Sequence, residues 1–90
     1  MIKKLSKDII IQNELGLHAR PAAMIAKLAL GAKSKVWIIK DDEKVDASSI
    51  IDILTLACLK GTSVTLQIED HTDIGVLDTI SDLIENNFEE

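Results

Sequence analysis

In 90 residues the chain has one cysteine, one proline, one tryptophan, one phenylalanine and no tyrosine. A single thiol excludes an internal disulfide and fits a reducing compartment. One Trp and one Phe are too few rings to stack successive bases, which argues against a reader of single-stranded nucleic acid. No apolar run approaches the roughly 20 residues of a membrane helix, so no membrane insertion is expected. Met1-Ile2-Lys3-Lys4 opens basic, but no apolar stretch with a small-residue cleavage site follows, and no secretion signal is expected. A cytoplasmic setting is the natural reading. The chain also lacks a Cys-x-x-Cys pair, a glycine-rich phosphate loop and a Gly-x-Ser-x-Gly elbow.

One further absence is local. Residues 1–60 carry all 10 Lys and Arg against 7 acids, whereas residues 61–90 carry 8 acids and no base. The net charge of −5 therefore divides into a mildly basic part and a strongly acidic ending. That division favours an anionic ligand or acidic partner at the basic part and argues against general nucleic-acid binding.

What is present is enough for one modest core. The apolar fraction is 47%, and the length predicts a single domain spanning residues 1–90. Asp8-Ile9-Ile10-Ile11-Gln12 is β-branched and short, a strand closed by the turn residues Asn13-Glu14-Leu15-Gly16. From Pro21 to Leu30 apolar residues recur at helical spacing, with Gly31 in the place of a C-terminal cap. Lys35–Lys40 reads as a second strand, Asp41-Asp42-Glu43 as a turn, and Lys44–Asp46 as a short third strand. Ser49-Ile50-Ile51-Asp52 has the form of a capping box that starts a helix running to about Leu59. Gly61 ends it, and Ser63–Ile68 alternates as a fourth strand. Thr72 or Asp73 caps a last helix with apolar positions Val76, Leu77, Ile80, Leu83 and Ile84.

The order is βαββαβα, an α+β split-βαβ arrangement. Alternation turns Ile9, Ile11, Val36, Ile38, Val64, Leu66 and Ile68 toward the helices. Ile10, Trp37, Ile39, Thr65 and Gln67 then line the opposite, open face, which is apolar enough to suggest an association surface or scattered surface hydrophobics.

The stretch Leu15-Gly16-Leu17-His18-Ala19-Arg20-Pro21 is where chemistry is expected. Proline suits the first turn of a helix, so a helix beginning at Pro21 puts His18 and Ala19 at its mouth. A helix mouth offers backbone N–H groups and partial positive charge, an anion cradle formed here by Ala19, Arg20 and Pro21. Arg20 adds a forked, permanent charge suited to phosphate. An imidazole beside such a cradle can act as a nucleophile at neutral pH, so the stretch reads as a phosphoryl acceptor.

Over Gly16-Leu17-His18-Ala19-Arg20-Pro21-Ala22 the chain resembles HPr, the histidine-phosphorylated carrier of the bacterial phosphotransferase system. The likeness continues through Val45-Asp46-Ala47-Ser48-Ser49-Ile50-Ile51 and Leu59-Lys60-Gly61-Thr62. Asn13-Glu14-Leu15-Gly16 and the ending Asn87-Phe88-Glu89-Glu90 are also similar to NPr, the nitrogen-branch carrier. The resemblance implies an HPr-like open-faced β-sandwich, one four-stranded antiparallel sheet with three helices on one face. It implies a protein that is a carrier and not an enzyme, needs no cofactor, and behaves as a monomer. Its His18 would take a phosphoryl group from phosphoenolpyruvate via Enzyme I and pass it to IIA proteins. Attachment at Nδ1 is implied, with the other ring nitrogen facing solvent.

The family's docking surface falls on Ala23, Met24, Lys27, Ile50, Ile51, Leu54 and Thr55, although helical spacing alone leaves Ile51 and Leu54 as either docking or core residues. A regulatory phosphorylation by an HPr kinase/phosphorylase falls on Ser49, which is equally a plain helix cap. Asp52, one turn along, departs from the Gly or basic residue often found there, and its charge opposes a phosphate. The alternative function is a regulatory module whose phosphorylation state controls partner proteins. Cys58 reads as a small buried hydrophobe. His71, in the acidic turn Glu69–Asp73, lacks the ligand spacing of a metal site, and no metal is expected.

Overall fold

The structure is a computed structural model that describes residues 5–89; the basic start Met1–Lys4 and the last acid of the tail, Glu90, lie outside the described residues. The elements are β1 (Ser6–Ile10), α1 (Ala19–Ala29), β2 (Val36–Lys40), β3 (Glu43–Asp46), α2 (Ile50–Thr55), β4 (Ser63–Ile68) and α3 (Ile74–Glu85), with tight helical turns at His71–Asp73 and Asn87–Glu89. The four strands form one sheet in the order β1-β4-β2-β3, every neighbouring pair antiparallel. All three helices cover one face, giving the βαββαβα order that the sequence pattern predicts and the α+β open-faced sandwich that the HPr resemblance implies.

Period-2 alternation decides the faces. Ile9, Ile11, Val36, Ile38, Val64, Leu66 and Ile68 are all buried against the helices. They meet Ala22, Ile25, Ala26 and Ala29 of α1, Ile53 of α2, and Leu77, Ile80 and Ile84 of α3. Each large aliphatic side chain buried this way contributes ~1.5–3 kcal/mol. On the open face Ile10 is 54% exposed, while Trp37 and Ile39 are half-buried. Trp37 is partly screened by polar groups: its indole N–H donates to the Glu69 carboxylate at 3.0 Å, and the Lys44 ammonium lies 4.8 Å from the ring centroid.

Element boundaries move where tertiary contacts outweigh local signals. The first strand is Ser6–Ile10, two residues earlier than expected, because its register is set by pairing with β4; Ile11 then exchanges bonds with Gly61 and Thr62 in the turn that leads into β4. The second and third strands are Val36–Lys40 and Glu43–Asp46, so only Asp41-Asp42 is left for the turn. Helix α1 begins at Ala19 instead of Pro21, and Pro21 is its third residue. No N–H of the first helical turn has an intrahelical acceptor, so proline's missing donor is harmless there too. Gly31 takes no left-handed cap; Leu30 stays helical at φ −63° and the Gly31 N–H donates to Leu28.

Helix α2 ends at Thr55, well short of Leu59. After Leu56 the backbone turns left-handed at Ala57 (φ 52°), and the Lys40 ammonium, reaching from β2, donates to the Leu56 and Ala57 carbonyls at 2.8 and 3.4 Å. A Cβ in that conformation costs about 1 kcal/mol, and the Ala57 side chain is exposed with no packing to lose. Ala57→Gly is therefore expected to raise stability by about 0.5–1 kcal/mol, read as a higher urea midpoint with unchanged slope. An unchanged or lower midpoint contradicts it.

The start of α3 also differs from expectation. Asp70, not Thr72 or Asp73, supplies the side-chain cap, accepting from the Thr72 N–H at 2.9 Å. Asp73 is the backbone cap of α3, but its buried carboxylate turns away and accepts the Lys33 and Ser34 N–H groups at 2.9 and 3.0 Å. It thus ties the α1–β2 loop to α3.

Candidate functional site

The candidate site is built on the loop between β1 and α1. Asn13 closes a turn, accepting the Gly16 N–H at its backbone oxygen (3.0 Å). Gly16 sits at φ +64°, and a Cβ there would overlap the Cys58 carbonyl oxygen and come within 2.9 Å of Leu59 Cα. Only glycine fits both the conformation and the close approach. The next N–H, of Leu17, donates to the Cys58 carbonyl at 2.8 Å, and the Leu17 side chain is buried. A surface ion pair, Lys60 to Glu14 at 2.7 Å, spans the same two loops. The result is a loop fastened to the turn after α2, which delivers His18 at the N-terminus of α1.

His18 is the N-cap residue of α1, extended at φ −79° and ψ −172°, with its carbonyl accepting the Ala22 N–H at 3.0 Å. Ala19 and Arg20 are the first two helical residues and are exposed; Pro21, buried, is the third. The expected cradle therefore has two backbone donors at its mouth, Ala19 and Arg20, with Pro21 supplying shape alone. The His18 ring is half-buried, and Nε2 is closed off from solvent. This corrects the expectation of a solvent-facing second nitrogen: the ring is seated with Nε2 inward.

The seven positions expected to dock partners divide by exposure. On α1, Ala23 and Lys27 are exposed and Met24 is half-buried. On α2, Ile50 and Leu54 are each 40% exposed and Ile51 is 73% exposed, so none of them is core; Ile53 fills that role. Thr55 is exposed and donates its hydroxyl to the Asp52 carbonyl. Helices α1 and α2 pack on each other, which brings the two sets together. Leu15 (71%) and Leu59 (69%) are two further exposed leucines, one on each of the fastened loops. The sequence assigns neither of them a docking role, because an isolated leucine in a turn carries no periodic signal. A groove of about 690 Å³ between α1 and α3, lined by residues including Met24, Lys27, Leu28, Asp82 and Leu83, contains neither His18 nor Arg20.

Ser49 caps α2 as the box pattern predicts, its hydroxyl accepting the Asp52 N–H at 3.2 Å. The preceding turn is held by Asp46, which accepts the Lys35 ammonium at 2.8 Å and the Ser48 hydroxyl and N–H at 2.6 and 2.8 Å. The hydrogen bond from Lys35 and then those from Ser48 pull the Asp46 carboxyl down to about 2, from an ordinary value of 3.8. A carboxyl depressed in the folded state contributes stability above its unfolded value and loses it as pH falls through the folded one. Asp46→Asn is therefore expected to melt lower than the parent at neutral pH, with the gap closing between about pH 4 and pH 2. A gap that stays constant down to pH 2 contradicts this.

Cys58 is buried as expected, and burial pushes its thiol up from the ordinary value. Its backbone oxygen accepts the Leu17 N–H of the site loop. His71 is exposed, with Nδ1 3.6 Å from Asp70, and among the described residues no group of three or more His, Cys, Asp or Glu side chains is gathered as a metal site. No helix among the described residues is long and apolar enough to cross a membrane.

Three comparisons bear on this geometry. The family model described as the PTS HPr component phosphorylation site matches residues 5–86. The phosphocarrier protein HPr of Neisseria meningitidis serogroup A is 36% identical over 86 residues, covering 96% of this chain and 97% of that one. The phosphocarrier protein NPr of Shewanella violacea is 33% identical over 87 residues, covering 97% and 96%. Among solved structures, that of HPr-C-His from Thermoanaerobacter tengcongensis superposes with a TM-score of 0.86 at 38% identity, covering 94% of this chain and 96% of that one.

Proposed function

The chain belongs to the HPr family of phosphocarrier proteins of the phosphotransferase system, and from that premise we propose that it accepts a phosphoryl group on His18 from Enzyme I and hands it to IIA proteins. The observation that carries this reading is the placement of His18 as the N-cap of α1, with the exposed Arg20 in the first turn. In the transfer, a lone pair on a His18 ring nitrogen forms the new N–P bond as the donor's bond to phosphorus breaks, and no water enters. The inward seating of Nε2 supports Nδ1 as the nucleophile. The Ala19 and Arg20 N–H groups and the Arg20 guanidinium then face the phosphoryl oxygens. Helix-terminus interactions of this kind contribute only ~0.3–1 kcal/mol each at exposed positions, a weak hold that suits a group in transit.

Partners dock on the apolar surface of Ile50, Ile51 and Leu54, with Ala23, Met24 and Thr55 around it and Lys27 as a contact for an acidic partner. The chain itself acts as a substrate in the cascade and turns nothing over. Ser49 serves first as the cap of α2; a phosphate on it faces Asp52 three residues on, so control by an HPr kinase/phosphorylase is the weaker reading. The likeness to the Shewanella violacea NPr favours a second reading, service in a nitrogen-type branch where phosphorylation state controls partners. The test is incubation with phosphoenolpyruvate and purified Enzyme I of each branch, read by intact mass. One phosphoryl group per chain, from one donor far faster than the other, is expected; no gain with either overturns the proposal.

A further inference from the structure

Among the buried polar side chains, Asn13 is the one fastened to the loop that carries His18. It is 4% exposed. Its Nδ2 donates to the Gly16 carbonyl at 2.6 Å, and its backbone oxygen accepts the Gly16 N–H. The same Gly16 carbonyl accepts the N–H of His18 at 3.0 Å. One peptide oxygen thus takes the Asn13 amide on one side and the His18 backbone on the other. The Asn13 Oδ1 is buried with no hydrogen-bond partner. The amide cannot turn over to relieve this, because two acceptor oxygens would then meet at 2.6 Å. Burying an unsatisfied carbonyl oxygen is unfavourable, and an apolar residue of similar volume would avoid it. What that apolar residue would lack is the donor to Gly16.

We infer that Asn13 is a positioning residue for His18: its amide fixes the Gly16–Leu17 peptide, and that peptide fixes the N-cap geometry from which the imidazole reacts. The Leu17 N–H donating to Cys58 holds one edge of the same peptide, and the Asn13 amide on the Gly16 oxygen holds the opposite edge. Released, the Gly16 carbonyl swings and takes the His18 N–H with it, and the ring loses its alignment with the helix mouth. Small misplacements of a reacting group have large effects on rate. The inference rests on His18 being the phosphoryl acceptor, and it is testable apart from that reading.

The experiment compares the parent chain with Asn13→Asp, Asn13→Ala and Asn13→Ser for single-turnover uptake from phosphorylated Enzyme I over a range of donor concentrations, each rate expressed per folded molecule. Asp73→Asn, which weakens a buried clamp on the α1–β2 loop, is the control for lost stability alone. Asn13→Asp and Asn13→Ala are expected to lower the maximal rate about tenfold with the half-saturating concentration unchanged, Asn13→Ser, whose hydroxyl can still donate, to recover part of it, and Asp73→Asn to keep the parent rate. Asn13 variants that transfer at the parent rate overturn the inference. So does a rate that falls only as the folded fraction falls, or a set of variants none of which folds, since the side chain then holds the domain and not the site. A parent chain that takes up no phosphoryl group fails the functional reading instead.

Discussion

His18→Ala is expected to take up no phosphoryl group from phosphoenolpyruvate and Enzyme I and to keep a melting temperature close to that of the parent. A complete loss is expected because, on the proposed function, the variant removes the nucleophile itself and not an aid to it. Helix α1 survives, since His18 contributes to it through its backbone: the carbonyl bonded to Ala22 and the N–H bonded to Gly16 are unchanged by the substitution. Its side chain makes no cap bond to the helix, so the usual penalty of about 1 kcal/mol for losing a capping side chain does not apply. His18→Gln separates the ring's chemistry from its volume and is expected to be equally inactive. The other imidazole cannot substitute, because His71 lies beside Asp70 ahead of α3 and not at the mouth of α1. Uptake by His18→Ala at a measurable fraction of the parent rate assigns the phosphoryl group elsewhere.

The largest expected effect on stability belongs to Phe88. Its ring is fully buried against the core, yet both Asn87 and Phe88 are in the left-handed region, at φ 53° and 56°. Non-glycine residues held there cost on the order of 1 kcal/mol or more each, so the burial they permit must outweigh that. Removing a buried phenylalanine ring costs ~3–5 kcal/mol, the transfer energy together with the cavity left behind. The backbone strain persists in Phe88→Ala, so nothing offsets the loss. For a domain of this size that is a fall in melting temperature of roughly 15–30 °C. Phe88→Leu, which keeps most of the volume, is expected to recover more than half of it. A loss below about 1 kcal/mol in Phe88→Ala shows that the tail does not plug the core.

Phe88 also marks where local sequence signals end. The strands and their inward faces were legible because alternation is a local property: Val64, Leu66 and Ile68 point inward at every second position, and Ser49 caps α2 by a pattern contained in four residues. The site stretch was legible for the same reason, with Gly16, His18, Arg20 and Pro21 close together in the chain. What escaped depends on partners distant in sequence. The end of α2 is set by Lys40 reaching across from β2 and by Ala57 accepting a left-handed turn. Asp73 reads as a helix cap until Lys33 and Ser34, some 40 residues earlier, claim its carboxylate. The inward seating of His18 Nε2 depends on burial, which no motif encodes. Asn13 was visible only as a turn residue; its second bond, to the Gly16 oxygen, becomes apparent when the loop is folded.

A carrier must release what it accepts, so onward transfer tests the proposed function most directly. The chain is loaded with radiolabelled phosphate through Enzyme I, separated from the donor, and mixed with a IIA protein of the matching branch. The label is expected to leave His18 and appear on the IIA protein in equal amount, with no free phosphate formed during the transfer. Label that stays on the chain, or leaves it only as inorganic phosphate, contradicts it.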